Sequence, residues 1–271
     1  MMRSSNKFEK IYLFIVFAIL YLPIFYLIFY SFNADGTMNQ FTGFTLEYYA
    51  ELFEDKRLII IVLNTVLLAL LSSLIATLIG TFGAMGIYFI KNKRIKNSLL
   101  SLNNVLMVSP DVIIGSSFLI FFTMLGIGLG FKSVLISHIA FSIPIVVLMV
   151  LPRMNEISES VFFAARDLGA SSAQIIGRVI LPMIAPGILA GFFMAFTYSL
   201  DDFAVTFFVT GNGFSTLSVE IYSRARQGVS LTINALSTLM FLFSLLLVAG
   251  YYFLTTKNQK KKLKVKAVDK K

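Results

Sequence analysis

The sequence predicts an all-α membrane protein with six transmembrane helices and cytoplasmic N- and C-termini. Three observations predict it. Of the 271 residues, 57% are hydrophobic and only 14% are charged, far from the composition of a soluble domain. The apolar residues fall into separate runs, near or above the ~20 residues that cross a bilayer. The 23 Lys and Arg are unevenly placed: with six spans, 18 lie on the side of the termini and 5 on the other. That asymmetry marks the termini as cytoplasmic. Cysteine is absent, which excludes disulfides and thiolate chemistry. Tryptophan is absent too, so any interfacial aromatic belt is built from the 11 Tyr and 28 Phe.

Residues 1–10 form a basic cytoplasmic segment carrying Arg3, Lys7 and Lys10. The run Ile11–Phe32 is too long for a signal-peptide core and has no small-residue cleavage site, so it reads as a retained first helix, kinked at Pro23. Residues 33–57 are polar and acidic, and Thr45 can cap a short surface helix over Leu46–Glu54. Leu58–Ile90 is long enough to span about 50 Å as a helix, so it must tilt or project. Ala76, Gly80 and Ala84 give it a small-residue seam for close helix contact.

A basic loop with Lys91, Lys93, Arg94 and Lys96 leads to a third span over about Leu99–Leu125, with Pro110 and Asp111 near its middle. A glycine-rich turn at 126–132 returns to a fourth span, about Ser133–Leu151. A fifth, about Met183–Val209, carries Gly187, Gly191 and Ala195 as a second seam. The loop 210–231 precedes a sixth span, about Leu231–Leu254. The six-helix domain thus covers 11–256, and a tail with eight Lys follows at 257–271. That tail suits anionic lipid, and no aromatic interleaving supports nucleic-acid binding.

The stretch Phe162–Pro186, FFAARDLGASSAQIIGRVILPMIAP, is a small-residue, polar interruption between apolar runs. The first of two short helices ends at Leu168, with Gly169 in a left-handed position. The second starts at Ser171, which forms a capping-box pattern with Gln174, and stops near Pro182. Ile175, Ile176, Val179 and Ile180 make its apolar face. One reading is an ordinary helical hairpin. The spacing, however, resembles the EAA loop of permease subunits of binding-protein-dependent ABC importers. Ala164, Ala165, Gly169, Leu181 and Pro182 fall in the loop's register, within a segment of about 156–182. Phe163 stands where Glu is usual, and Val179 where Ile is usual.

No residue set for catalysis is present. Gly126–Ser133, GIGLGFKS, is a poor match to a phosphate loop because Phe131 separates Gly130 from Lys132. His138, in the fourth span, reads as an interhelical hydrogen-bonding residue rather than a ligand. The acids at membrane depth are the sharper signal: Asp111 in the third span, and Asp201 and Asp202 in the fifth. Acids there usually face a polar path, although they also bridge helices or cap a broken one. The bridging or capping alternative suits Asp201 better, because adjacent residues cannot face one way. Helical spacing can place Tyr198 beside Asp201 or Asp202. An anionic and aromatic lining suits an ammonium group.

Residues 198–235 and the SPDVIIG segment around Asp111 further resemble the polyamine (spermidine/putrescine) branch of that permease family, and the resemblance runs through nearly the whole chain. It implies the type I importer permease (MetI-like) fold and a non-catalytic subunit forming half of a translocation pathway in a bacterial plasma membrane. It implies two copies of an ATP-binding subunit, which carry the ATP and Mg, and a second, different permease subunit. It also implies an extracytoplasmic polyamine-binding protein. Asp111, Tyr198, Asp201 and Asp202 are then substrate-path candidates, and Ala164, Ala165, Gly169, Leu181 and Pro182 couple to the ATPase. The alternatives are an importer of another small solute, and an ATP-independent channel or secondary transporter. No internal repeat supports the last.

Overall fold

The computed structural model describes residues 7–227 and 231–268, and among these it is helical, with no strand longer than an isolated bridge between Asn33 and Phe44. Among the described residues, five helices are long and apolar enough to cross a membrane. A bent pair, Lys93–Val108 and Asp111–Met124, makes a sixth span if taken as one. The chain divides into two compact units, residues 60–222 and residues 1–59 with 223–271.

The unit over 60–222 is built on α6 (Phe131–Asn155). The long α3 (Lys56–Phe89) and α9 (Leu181–Asp201) bring their small-residue seams to it. A Cβ on Gly80 would lie 2.7 Å from the Val146 Cβ, and one on Gly191 would lie 3.2 Å from the Val146 Cα. Ala76, Ala84 and Ala195 are fully buried beside them. Val146 therefore sits between two helix backbones that can approach only because the facing residues lack side chains. One apolar cluster, around Val147, Val150, Met154, Ile175, Ile180 and Ile184, fills the C-terminal half of α6. A second, around Leu68, Ile114, Phe122, Val134, Phe141 and Val209, fills its N-terminal half.

The third span is not one helix. α4 (Lys93–Val108) and α5 (Asp111–Met124) meet at 103° across Ser109 and Pro110. The residue before proline disfavours the helical region, and Ser109 is extended, with ψ of 139°. Asp111 is thus the first residue of α5 rather than a mid-span residue. The fifth span also differs from expectation. Pro182 does not stop the preceding helix. Instead α8 (Ser172–Gln174) continues through a π turn over Ile175–Ile180 directly into α9. In that turn the Leu181 amide reaches back five residues to the Ile176 carbonyl. The widened turn gives the proline ring room while the ladder carries on. The span ends at Asp201, eight residues before Val209. A break at Asp202 and Phe203 separates it from the short α10 (Ala204–Val209). α11 (Leu217–Gln227) occupies half of the expected loop 210–231.

In the other unit, α1 (Lys7–Tyr30) runs unbroken through Pro23 and packs on α12 (Leu231–Val268), Tyr21 meeting Phe241 edge-on at 6.4 Å. The final helix thus extends well past Leu254. The loop after α1 folds around buried Asn33, whose amide donates to the Thr37 and Gln40 carbonyls at 2.7 Å each. α2 (Glu47–Glu54) follows, and the Glu47 amide donates to the Thr45 hydroxyl at 3.2 Å, near the expected cap. Asp55 pairs with Arg224 at 2.8 Å, and that hydrogen bond holds its carboxyl below the usual carboxylate range.

The Val146 contact makes a direct test. Gly80→Ala forces a Cβ into Val146 and is expected to cost about 1–3 kcal/mol. Gly83→Ala places its Cβ 3.8 Å from the Val147 Cγ2, an ordinary contact, and should be nearly neutral. Thermal unfolding midpoints of the two purified variants in one detergent check the contrast.

Candidate functional site

Two regions of the unit over 60–222 carry the polar residues singled out in the sequence. At the end of α9, Tyr198 and Asp201 are exposed, while Asp202 is buried. The Tyr198 hydroxyl donates to the Asp111 Oδ1 at 2.8 Å. Helical spacing had pointed Tyr198 along its own helix. The structure joins it instead to the first residue of α5, 87 positions earlier in the chain. A contact of that kind depends on tertiary packing and has no local sequence signal. The edge of the Tyr198 ring meets Phe141 of α6 at 5.1 Å. Asp111, Tyr198 and Asp201 thus place two acids and a phenol on exposed helix ends.

Asp202 does different work. Its Oδ2 accepts from the Thr206 amide at 2.8 Å and the Thr206 hydroxyl at 2.7 Å, and its Oδ1 from the Val205 amide at 3.4 Å. These contacts cap α10, where the helix has amides without intrahelical partners and a partial positive charge. Of the two roles open to Asp202, the contacts show the cap. Behind it lies fully buried His138, Nδ1 at 2.6 Å from the Ser199 hydroxyl and Nε2 at 2.9 Å from that of Thr206. This matches the interhelical role expected of His138. The Ser72 hydroxyl of α3 extends the network to Ser199 at 3.0 Å. Ser72, Ser199 and Thr206 were not singled out in the sequence, because buried hydroxyls in apolar helices are common and unmarked.

The second region is the small-residue stretch. α7 (Glu159–Asp167) begins at Ser158, whose hydroxyl accepts from the Ser160 amide, and ends at Leu168. Gly169 follows with φ of 77°. The Gly169 amide donates to the Arg166 carbonyl at 2.8 Å, and the Ala170 amide to that of Ala165 at 3.0 Å. This is a complete Schellman turn, and its left-handed residue favours glycine. The expected capping box is also formed. The Gln174 amide donates to the Ser171 hydroxyl at 3.3 Å, and the Ser171 amide to Gln174 Oε1 at 2.8 Å. Ile175 and Ile180 are buried, with Ile176 and Val179 half-buried, as their shared face requires. Ala164 and Gly169 are exposed and Ala165 and Leu181 half-buried. Phe162 turns inward against Phe89 at 6.0 Å, while Phe163 points outward.

Among the described residues no group of three His, Cys, Asp or Glu could hold a metal.

Residues 76–262 match the family described as "Binding-protein-dependent transport system inner membrane component". The chain is 36% identical over 247 residues to the spermidine/putrescine transport system permease protein PotC of Haemophilus influenzae, covering 91% of this chain and 96% of that protein. It is 38% identical over 233 residues to the same-named protein of Escherichia coli K12, covering 86% and 88%. The putrescine transport system permease protein PotI of E. coli K12 is 33% identical over 230 residues, with 83% and 82% covered. Among solved structures, a chain of a bacterial alginate ABC transporter, in complex with an alginate pentasaccharide-bound periplasmic protein, aligns with TM-score 0.68 at 18% identity. It covers 90% of this chain and 91% of that one. A chain of the inward-facing MetNI methionine ABC transporter aligns with TM-score 0.59 at 20% identity, covering 72% and 94%. These likenesses show the fold.

The contacts of Asp202 generate a test. Asp202→Ala removes the cap and is expected to lower stability by about 1–2 kcal/mol, whereas Asp202→Asn, which still caps, should lose much less. Thermal melts of the two purified variants decide it, and equal losses would refute the capping role.

Proposed function

Because the chain belongs to the family of binding-protein-dependent transport system inner membrane components, we propose that it forms half of the translocation pathway of an ATP-driven importer for polyamines. It is a non-catalytic permease subunit with the type I importer fold. The observation that carries the cargo is the likeness, over more than four fifths of the chain, to three permeases named for spermidine or putrescine transport. The chemistry of the α9 end supports it: Asp111 and Asp201 offer negative charge, and the Tyr198 ring offers a face, to a primary or secondary ammonium.

In this reading Asp111, Tyr198 and Asp201 line the cation path, and Asp202 shapes it from behind. Tyr198 donates to Asp111, and an arriving ammonium takes the place of that phenol hydrogen as the donor to the carboxylate. The charged group then never faces an apolar wall without a partner. No buried Lys or Arg is needed, and none was found in the spans by sequence.

ATP and Mg belong to partner chains, two copies of an ATP-binding subunit that meet the turn of Ala164, Ala165 and Gly169. Leu181 and Pro182 begin the helix that leads from that turn toward Asp201. A second, different permease completes the pathway, and an extracytoplasmic polyamine-binding protein delivers the cargo. The coupling turn, the termini and the lysine-rich tail face the cytoplasm of a bacterium, and the chain spans its plasma membrane several times. ATP binding closes the partner subunits, tips the permeases outward, and hydrolysis resets them.

The test is transport by the reconstituted assembly. ATP-dependent spermidine or putrescine uptake is expected only with all components present. Uptake by this chain alone without ATP, or uptake of a different solute in preference to polyamines, would overturn the reading. Gly169→Asp, which strains the left-handed turn, is expected to leave partner ATPase activity and lower uptake at least about tenfold. Asp111→Asn is expected to reduce polyamine flux without reducing recovery of the assembled complex.

A further inference from the structure

The buried contacts behind the open acids form a continuous chain of hydrogen bonds, and its direction is fixed at the Asp202 end. Asp202 Oδ2 accepts both the amide and the hydroxyl of Thr206. A carboxylate has no proton to give, so the single hydroxyl hydrogen of Thr206 goes to it. The Thr206 Oγ1 can then meet His138 Nε2, 2.9 Å away, only as an acceptor. Nε2 therefore carries a ring proton. Nδ1 lies 2.6 Å from the Ser199 hydroxyl. The Ser199 hydroxyl also meets that of Ser72 at 3.0 Å, and Ser72 lies 3.2 Å from the Ala69 carbonyl, to which it can donate. The chain links Ser72, Ser199, His138, Thr206 and Asp202, through α3, α9, α6 and α10.

The imidazole holds one residue on each side of the α9–α10 break. Ser199 lies in the last turn of α9 and Thr206 in the first turn of α10. Ser199 directly follows Tyr198, and Asp202 directly follows Asp201. The ring also packs on Phe141 at 4.8 Å, and Phe141 meets Tyr198. Each exposed polar residue at the end of α9 is thus backed by a residue that the histidine touches or that the chain of donors reaches. Asp202 Oδ2 lies 3.5 Å from Nε2 and is the charged group at the far end of that chain.

We propose that His138 is a positioning residue for cation passage. Donating from Nε2 to Thr206 and hydrogen-bonded through Nδ1 to Ser199, it braces the α9–α10 break, and so fixes how Tyr198 and Asp201 are presented to the path. This role rests on the cation path proposed above.

The chain contains one histidine, which permits a direct test. Full-length protein labelled with nitrogen-15 histidine, purified on a histidine-free tag and placed in lipid bilayers, gives a single pair of ring-nitrogen signals. The expected pair has a protonated Nε2, the nitrogen that faces Thr206. A bare Nε2 overturns the proposal.

The second measurement is ATP hydrolysed per polyamine imported by the assembled transporter in liposomes. His138→Leu is expected to raise that ratio about tenfold, because small displacements of positioned groups have large effects on the step they serve. His138→Gln, which keeps one donor and one acceptor, should return it to within about threefold of the unmodified protein. A histidine that merely held the fold together would lower the amount of assembled transporter and leave the ratio of the remainder unchanged, and that outcome overturns the proposal. If His138→Leu does not assemble, Ser199→Ala, which cuts only the α9 side, is expected to raise the ratio, and an unchanged ratio there overturns it equally. Failure of the cation path is distinguishable. Asp111→Asn and Asp201→Asn would then import normally while the ring-nitrogen pair remained as expected, and the positioning role would fall with the path.

Discussion

A helix cannot be interrupted at membrane depth without leaving amides and carbonyls that lipid will not satisfy. This chain interrupts two of its spans, and the polar residues that matter most are found at those interruptions. At the first, Pro110 brings no amide and Asp111 opens the new helix. At the second, Asp202 folds back over the amides of Val205 and Thr206. In both places a carboxylate sits where a helix N-terminus favours negative charge. The energetic need for an acid at a break coincides with the use the proposed cation path would make of an acid. The protein separates the two uses at neighbouring positions: Asp202 turns inward to the helix end, and Asp201 stays open.

Three close-packed helices make those breaks tolerable. α3, α6 and α9 approach so closely at Val146 that a Cβ at Gly80 would overlap its side chain and one at Gly191 would press on its backbone. The rigid centre lets the broken ends be irregular, because the positions of their flanking helices are already set. It also explains why Ser72, His138 and Ser199, on three different helices, can meet within hydrogen-bonding distance.

What the sequence disclosed and what it hid follow from the range of the interactions involved. The small-residue seams, the Ser171 capping box and the Gly169 turn were legible because each is set by residues within a few positions of one another. The family register of Ala164 to Pro182 was legible for the same reason. The pairing of Tyr198 with Asp111 was not, since it joins helices far apart in the chain. The break after Asp201 was also hidden: YSLDDFAV has no proline or glycine to mark it, and Thr206, which donates to the capping Asp202, lies beyond that segment. Pro182 misled in the opposite sense. Proline ends most helices it enters, but here a single widened turn absorbed it, and only the ladder itself shows that.

That widened turn has a mechanical consequence. Because the ladder is not severed, Ser172 to Asp201 is one rod of 30 residues, about 45 Å long at the ordinary rise. Its near end follows the Gly169 turn, and its far end carries Tyr198 and Asp201. Pivoted at the near end, a tilt of about 5° sweeps the far end by roughly 4 Å over that length. An arc of that size exceeds the reach of a hydrogen bond, so a small angular input at one face is enough to make or break a contact at the other. The gearing is set by helix length alone, and no side chain along the rod has to change its rotamer for the motion to arrive.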